Sequence, residues 1–382
     1  MNILFIENAG NRNAGAFHSM IALIKLLKEY GVESFVALPD KADGKQLLID
    51  NDIHFIELRA CSYSWMIPKE ASLLERLKMP FKDFVVKIFS FKLARYIKEN
   101  HIQIVHENTS ACYIGFFAAK IARVKHIWHI REFMEEDFNN RIWWKRRATC
   151  MMNHADAVIA ISDAIEKKYK KILTGNNIYK IYNGIVVNDF LNKDKNILIK
   201  PVVQLLCVGR VCEGKGQKKL IKALGELKKI NITPHVTFAG SFSKDIYKEY
   251  RDLAKRLNVE DQIVFLGQVD DMNELYKASD IFCMCSNCEA FGRVTVEAML
   301  AGNLIIGANS GGTPEILGNG EYGLLFESNS YKDLACKIQY AIENSSQMRN
   351  LAVEGREHAV KYFDAKLNAE KIYSLYRSIL IS

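Results

Sequence analysis

Glu289 and Glu297 lie eight positions apart in CMCSNCEAFGRVTVEAMLA, residues 283 to 301, just behind a run of three cysteines. The two sets of side chains suggest different chemistry. Cys283, Cys285 and Cys288 have the C-x-C-x-x-C spacing of a metal knuckle, while the carboxylates suit the mouth of a strand-to-helix turn. A closed zinc site wants four ligands, usually as two separated pairs. No second pair and no close histidine is present, and DIFCMC reads as a buried strand in which cysteine acts as a small hydrophobe. No metal is expected. The EAFG turn is the stronger candidate: Phe291, Gly292 and Arg293 open a helix whose backbone N–H groups and dipole favour an anion.

A second anion feature lies upstream in LLCVGRVCEGKGQKKLI. Arg210 follows a strand end, and Lys215 stands between two glycines before a helix. A guanidinium fork and an ammonium point charge so placed form a diphosphate clamp. The segment is no Walker A loop, since G-x-x-x-x-G-K-[ST] is absent.

The elements that must position these residues alternate. NILFIEN, ESFVALP, IQIVHEN, HIWHI and ADAVIAIS read as strands. Between them, AFHSMIALIKLLKEYG reads as a helix closed by Gly31, FVVKIFSFKLARYIKEN and ACYIGFFAAKIARV as further helices, and Ser162 as the cap of DAIEKKYKKIL. Around 183 to 200 the rhythm breaks, and a second strand–helix series runs from VQLLCVGR to the final helices. The expected fold class is α/β, with two doubly wound Rossmann-like domains facing a central cleft. The expected boundaries are 1–190 for an N-terminal Rossmann-like domain and 191–365 for a C-terminal one. Residues 366–382 are expected to form a helix packing back on the first.

Composition narrows the partners. The 382 residues are 49% hydrophobic and 25% charged, with a formal net charge of +8, enough to favour anionic ligands without naming one. No nucleic-acid motif or basic tail appears, so no nucleic-acid partner is expected. Nine scattered cysteines read as free thiols in a reducing compartment. MNILFIENAG has no basic leader, and no run approaches a membrane span. A cytoplasmic protein is expected, associated peripherally with the inner face of the membrane.

VGRVCEGKGQKKLIKAL, CSNCEAFGRVTVEAMLAGNLIIGANSGGTPEIL and GLLFE together resemble the donor-binding half of the family-4 retaining glycosyltransferases, group 1, of the GT-B fold. In the first half, IYNGIVVNDF, ADAVIAISDAI and the helix after residue 14 are similar to the same family. The resemblance implies transfer of a sugar from a nucleotide-sugar, UDP-sugar favoured, to a hydroxyl of a glycan or lipid-linked acceptor. A role in bacterial surface polysaccharide or glycolipid synthesis would follow. By resemblance, Arg210 and Lys215 neutralise the departing diphosphate and Glu289 hydrogen-bonds the donor sugar. Glu297 holds the ribose, and the backbone of Phe291, Gly292 and Arg293 faces sugar and phosphate. Leu266, Gly267 and Gln268 line the base, His129 meets the donor sugar, and Gly15 lets a loop approach the phosphates. No cofactor is implied, the nucleotide-sugar being a substrate. Glu289 would orient the sugar in a front-face transfer; a nucleophilic Glu289 is the other route.

Three departures stand out. Arg293 replaces an aliphatic residue, as an extra cation for the donor or as a solvent-facing side chain. Cysteines replace apolar residues and a proline before Glu289, and NAG replaces a double glycine in the N-terminal loop. The first half also carries seven cations and one acid between Arg76 and Lys98, with RIWWKRRATC further on. Such mixtures suit an anionic lipid surface, although Val86, Phe89, Leu93 and Ile97 have the spacing of a face packed on the sheet. Arg131, Glu132, Glu135, Glu136 and Asp137 either line an acceptor site or form an acidic helix start. A nucleotide-sugar epimerase and a non-catalytic nucleotide-sugar-binding protein are the rival readings.

Overall fold

The computed structural model describes every residue of the chain except Asn13, Phe138, Asn176, Ser382 and the side chain of Asp137. Asn13 of the NAG loop and the Asp137 carboxylate of the acidic segment therefore lie outside the described residues. The chain forms two compact units, residues 1–184 with 365–382, and residues 185–364.

In the first unit, β1 (Asn2–Ile6), β2 (Glu33–Leu38), β3 (His54–Glu57), β5 (Ile104–Glu107), β6 (Lys125–Ile130), β8 (Ala157–Ala160) and β9 (Ile178–Lys180) form one parallel sheet in the order β3-β2-β1-β5-β6-β8-β9. A small antiparallel pair, β4 (Met66–Pro68) with β7 (Asn140–Ile142), stands apart from it. The second unit has a six-stranded parallel sheet built from β10 (Gln204–Val208), β11 (His235–Ala239), β12 (Ile263–Gly267), β13 (Ile281–Met284), β14 (Leu304–Ala308) and β15 (Leu324–Phe326), in the order β12-β11-β10-β13-β14-β15. Strands buried on both faces read as unbroken apolar runs, as NILFI and IFCM do. The strand order of each sheet reverses once, at β1/β5 and at β10/β13, and the crevice at such a reversal is where doubly wound folds bind ligands.

Caps set several helix starts. Ser162 Oγ accepts from Ile165 N, and Ser243 Oγ from Ile246 N. At the third, Ser72 and Glu75 form a reciprocal capping box, which starts the helix Leu73–Glu99 eleven residues ahead of the expected Phe84. Val86, Leu93 and Ile97 are buried along that helix as their spacing implies, whereas Phe89 is only half-buried.

The unit boundary falls six residues earlier than the expected 190/191. Ile185 N donates to Phe363 O at 2.8 Å and Ile185 bridges Asp364, which ties residues 185 to 190 into the second unit. The final helix, Ala365–Ile381, puts Ala369, Ile372, Leu375, Tyr376 and Ile379 into the core of the first. Trp143 and Trp144, expected on a lipid-facing surface, instead pack in part against Ile67, Ala71 and Met79.

Candidate active site

In the second unit the switch point between β10 and β13 gathers the residues singled out in the sequence. The loop after β10 carries Arg210, exposed, and then a 3-10 turn, Glu213–Lys215. Gly216 follows with φ +72°, and a Cβ there would meet Cys285 O at 2.0 Å. Asn287 N donates to Gly214 O, which fastens this loop against the one after β13. The result is an ion pair across the switch point, with Lys215 Nζ 2.7 Å from Glu289 Oε2.

Glu289 is held by its backbone. Gly312 N donates to its carbonyl at 2.6 Å, and Gly311, at φ +58°, leaves no room for a Cβ, which would stand 2.3 Å from the same oxygen. Gly292, at φ +84°, then starts the helix Arg293–Leu300. A left-handed residue costs glycine little and other residues more, so the turn that aims Glu289 and the helix carrying Glu297 depend on these glycines.

Glu297 is 7% exposed and has two partners. Tyr276, itself buried, donates its hydroxyl to Glu297 Oε2 at 2.9 Å, and Arg293 Nη2 lies 3.2 Å from Oε1. Burial, and secondly the Glu297 charge, raise the Tyr276 phenol well above its ordinary pKa. Arg293 is thus neither solvent-facing nor unengaged: it is half-buried and paired within its own helix. Thr295 Oγ1, in the first turn, is buried with no hydrogen-bond partner among the described residues.

The strand ends on the other side also converge. Gly209 N donates to Ala239 O, and Gly240 N to Gly267 O. Leu266 and Gln268 are exposed at the end of β12, the edge strand. Buried Gln217 donates to Arg210 O at 3.2 Å and steadies the loop that presents the arginine. Cys283 and Cys285 belong to the hydrophobic core, and burial raises the Cys283 thiol. Among the described residues no cluster of three or more His, Cys, Asp or Glu could hold a metal ion.

The first unit places His129 at the end of β6, fully buried. Its Nδ1 is 3.0 Å from His106 Nε2, and His106 Nδ1 is 2.6 Å from the Tyr376 hydroxyl. His129 Nε2 is buried with no hydrogen-bond partner among the described residues. Burial, then the nearby Arg131 charge, lower both imidazoles well below their ordinary pKa, so both are neutral at pH 7. Beside them Arg131 donates to Asn108 Oδ1 at 2.8 Å and to Asn183 Oδ1, and Asn108 donates to Glu7 Oε2 at 2.7 Å. Gly15 is the exposed first residue of the helix Gly15–Glu29.

The acidic segment divides. Glu132 accepts from Thr109 and Ser110, and burial raises its carboxyl in spite of those bonds. Glu135 and Glu136 face Lys168, at 3.7 and 2.7 Å. Sequence reasoning does not single out Glu7, His106, Asn108, Tyr276 or Tyr376, while Asn183 falls in the IYNGIVVNDF segment that carries the resemblance. One signal was available: β1 and β5, neighbours at the switch point, are both followed through Glu-Asn, as FIEN and VHEN.

Comparison with known proteins gives the family. Residues 15–189 match the Glycosyltransferase Family 4 model and residues 189–358 the Glycosyl transferases group 1 model. An N-acetyl-alpha-D-glucosaminyl L-malate synthase of Bacillus anthracis is 35% identical over 127 residues, 33% of this chain and 32% of that protein. The capsular polysaccharide biosynthesis glycosyltransferase CapM of Staphylococcus aureus is 25% identical over 219 residues, 57% of this chain and 50% of its own length. The aligned segments thus span about a third and a half of those relatives. HepE of Anabaena in complex with UDP superposes with a TM-score of 0.80 at 25% identity, covering 99% of this chain and 100% of HepE. With the two family models meeting at residue 189 and running from 15 to 358, the chain belongs to the group 1 glycosyltransferases of the GT-B fold.

Proposed function

We propose that the chain is a retaining transferase that moves a sugar from a UDP-sugar to a hydroxyl of a glycan or lipid-linked acceptor. One observation carries the reading: the Lys215–Glu289 pair, 2.7 Å long, across the β10/β13 switch point. A partly solvated ion pair holds its partners weakly. An arriving diphosphate offers Lys215 a doubly charged partner, and Arg210, exposed on the same loop, joins it. Glu289, released from Lys215, can then accept hydrogen bonds from sugar hydroxyls. Glu297, oriented by Tyr276 and Arg293, is the partner for the ribose.

The reaction breaks the bond between the anomeric carbon and the diphosphate oxygen, and that oxygen keeps the electron pair. The acceptor oxygen bonds to the same face of the carbon, and its proton passes to the departing diphosphate. Negative charge grows where Arg210 and Lys215 stand, and fixed cations there supply the largest stabilisation of the transition state. No metal is assigned a part, since the cations of this loop would do the neutralising.

The UDP complex of HepE supports uridine as the base, and the name of CapM supports surface polysaccharide synthesis. The test is a thermal-shift panel of UDP, GDP, ADP and CDP with their sugar conjugates. A nucleotide at a hundred times its Kd stabilises by about 2.7 kcal/mol. UDP is expected to give the shift and Arg210→Ala to lose it; no shift with any nucleotide sinks the reading. Product anomers by NMR decide retention, and solvent deuterium entering the sugar would mark an epimerase instead.

A further inference from the structure

The helix Leu73–Glu99 has two apolar faces where a surface helix ordinarily has one. Its inner face buries Met79, Val86, Leu93 and Ile97, and Asp83 on that face holds Arg147 at 2.7 Å. Its outer face carries Leu74, Leu77, Phe81, Phe84, Ile88 and Phe91, each between 51% and 67% exposed. Steps of three and four residues hold these six within about 100° of arc, opposite the buried face. Scattered exposed apolar residues are ordinary, but a continuous line of them marks a contact surface.

Charge says what covers it. Arg76 and Lys87 border the line on one side, Lys78 and Lys82 on the other. The same spacing would form a coiled-coil seam with a second copy of the chain. The flanking positions of that seam hold Lys78, Lys87 and Lys92 and no acid, so two copies would set like charges together. An anionic surface instead meets the apolar line and both cationic borders at once. Among the described residues no helix is long and apolar enough to cross a membrane, which leaves a helix lying in the headgroup plane.

We propose that the outer face of the helix Leu73–Glu99 docks the protein onto an anionic lipid bilayer. The inference stands apart from the donor site, because vesicle binding requires no turnover. The test is flotation of the full chain with mixed phosphatidylcholine–phosphatidylglycerol vesicles and with phosphatidylcholine alone, at low and high salt. Binding is expected on the mixed vesicles, weakened by salt and nearly absent without the anionic lipid. Phe81→Ser/Phe84→Ser/Ile88→Ser should bind at least about tenfold more weakly while melting like the parent, its targets being exposed. Lys78→Gln/Lys82→Gln should lose about fivefold per cation, about 1 kcal/mol each, and keeps the test decisive if the serine variant fails to fold. Failure to bind mixed vesicles, or equal binding by both variants, overturns the proposal. So does a dimer that the serine variant abolishes while vesicles are ignored, since a second copy would then own the face.

Discussion

The two switch points end their strands in opposite ways. At β10/β13 the groups are charged and paired with one another, Lys215 with Glu289 partly open to water and Arg293 with the buried Glu297 beside it. At β1/β5 and the neighbouring β6 they are buried, in the sequence His129, His106, Tyr376 and in the set Arg131, Asn108, Glu7. An exposed ion pair exchanges partners at little cost, whereas a buried network left half-satisfied is expensive. One architecture therefore serves two purposes, with an end built to trade its partners and an end built to hold geometry before anything arrives.

That contrast breaks first, if it breaks, at the exchangeable pair. Lys215→Ala should lower kcat/KM by on the order of 10²–10³, the usual loss for one charge-stabilising donor. Glu289→Ala should depress kcat comparably while UDP affinity, read by calorimetry, stays near the parent's. Undiminished turnover in both variants would remove the switch-point assignment.

Acid tests the other end. The folded-state pKa of His106 and His129 is lowered by burial, so between that value and about 6.5 the unfolded chain binds more protons than the folded one. Stability from these imidazoles is complete above about pH 6.5 and is lost below it, by up to about 1.4 kcal/mol per histidine per pH unit. Urea melts of the chain at stepped pH should show that slope, reduced in His106→Asn. A flat profile would mean the imidazoles reach water.

Smaller effects sharpen the picture. Glu297→Ala strips the Tyr276 hydroxyl and the Arg293 guanidinium of a shared partner, at about 1–3 kcal/mol of stability, and should weaken UDP about tenfold in a direct binding assay. Cys288→Ser should change neither turnover nor metal content by mass spectrometry. A stoichiometric metal lost with that thiol would return the cysteine run to the chemistry.

The strands of both sheets were legible wherever apolar runs ended in glycine or a capping serine, as at VQLLCVG and ADAVIAIS. Strand β3, HFIE, with exposed ends and a half-buried middle, and the three-residue β4, β7 and β9 lack such a run and carry no signal of this kind. The helix start at Leu73 lies outside the expected FVVKIFSFKLARYIKEN, although Ser72 and Glu75, three residues apart, have the spacing of a capping box. At the site, residue types named Lys215, Glu289 and Glu297, because charge beside glycine at a strand end is a local signal. Tyr276 and Tyr376 were invisible for the opposite reason. Each meets its partner across 21 or 270 residues of chain, and nothing in its own neighbourhood marks it as more than an apolar-face aromatic.

The placement of Tyr376 bears on how the protein is made. The ribosome delivers residues 185–364, which form a continuous unit, between the two pieces of the other. Most of the first sheet is therefore synthesised early yet lacks the helix Ala365–Ile381, and with it Ile372, Leu375 and the hydroxyl beside His106. The half born first is completed last. Until then the apolar face that this helix covers stays open to water.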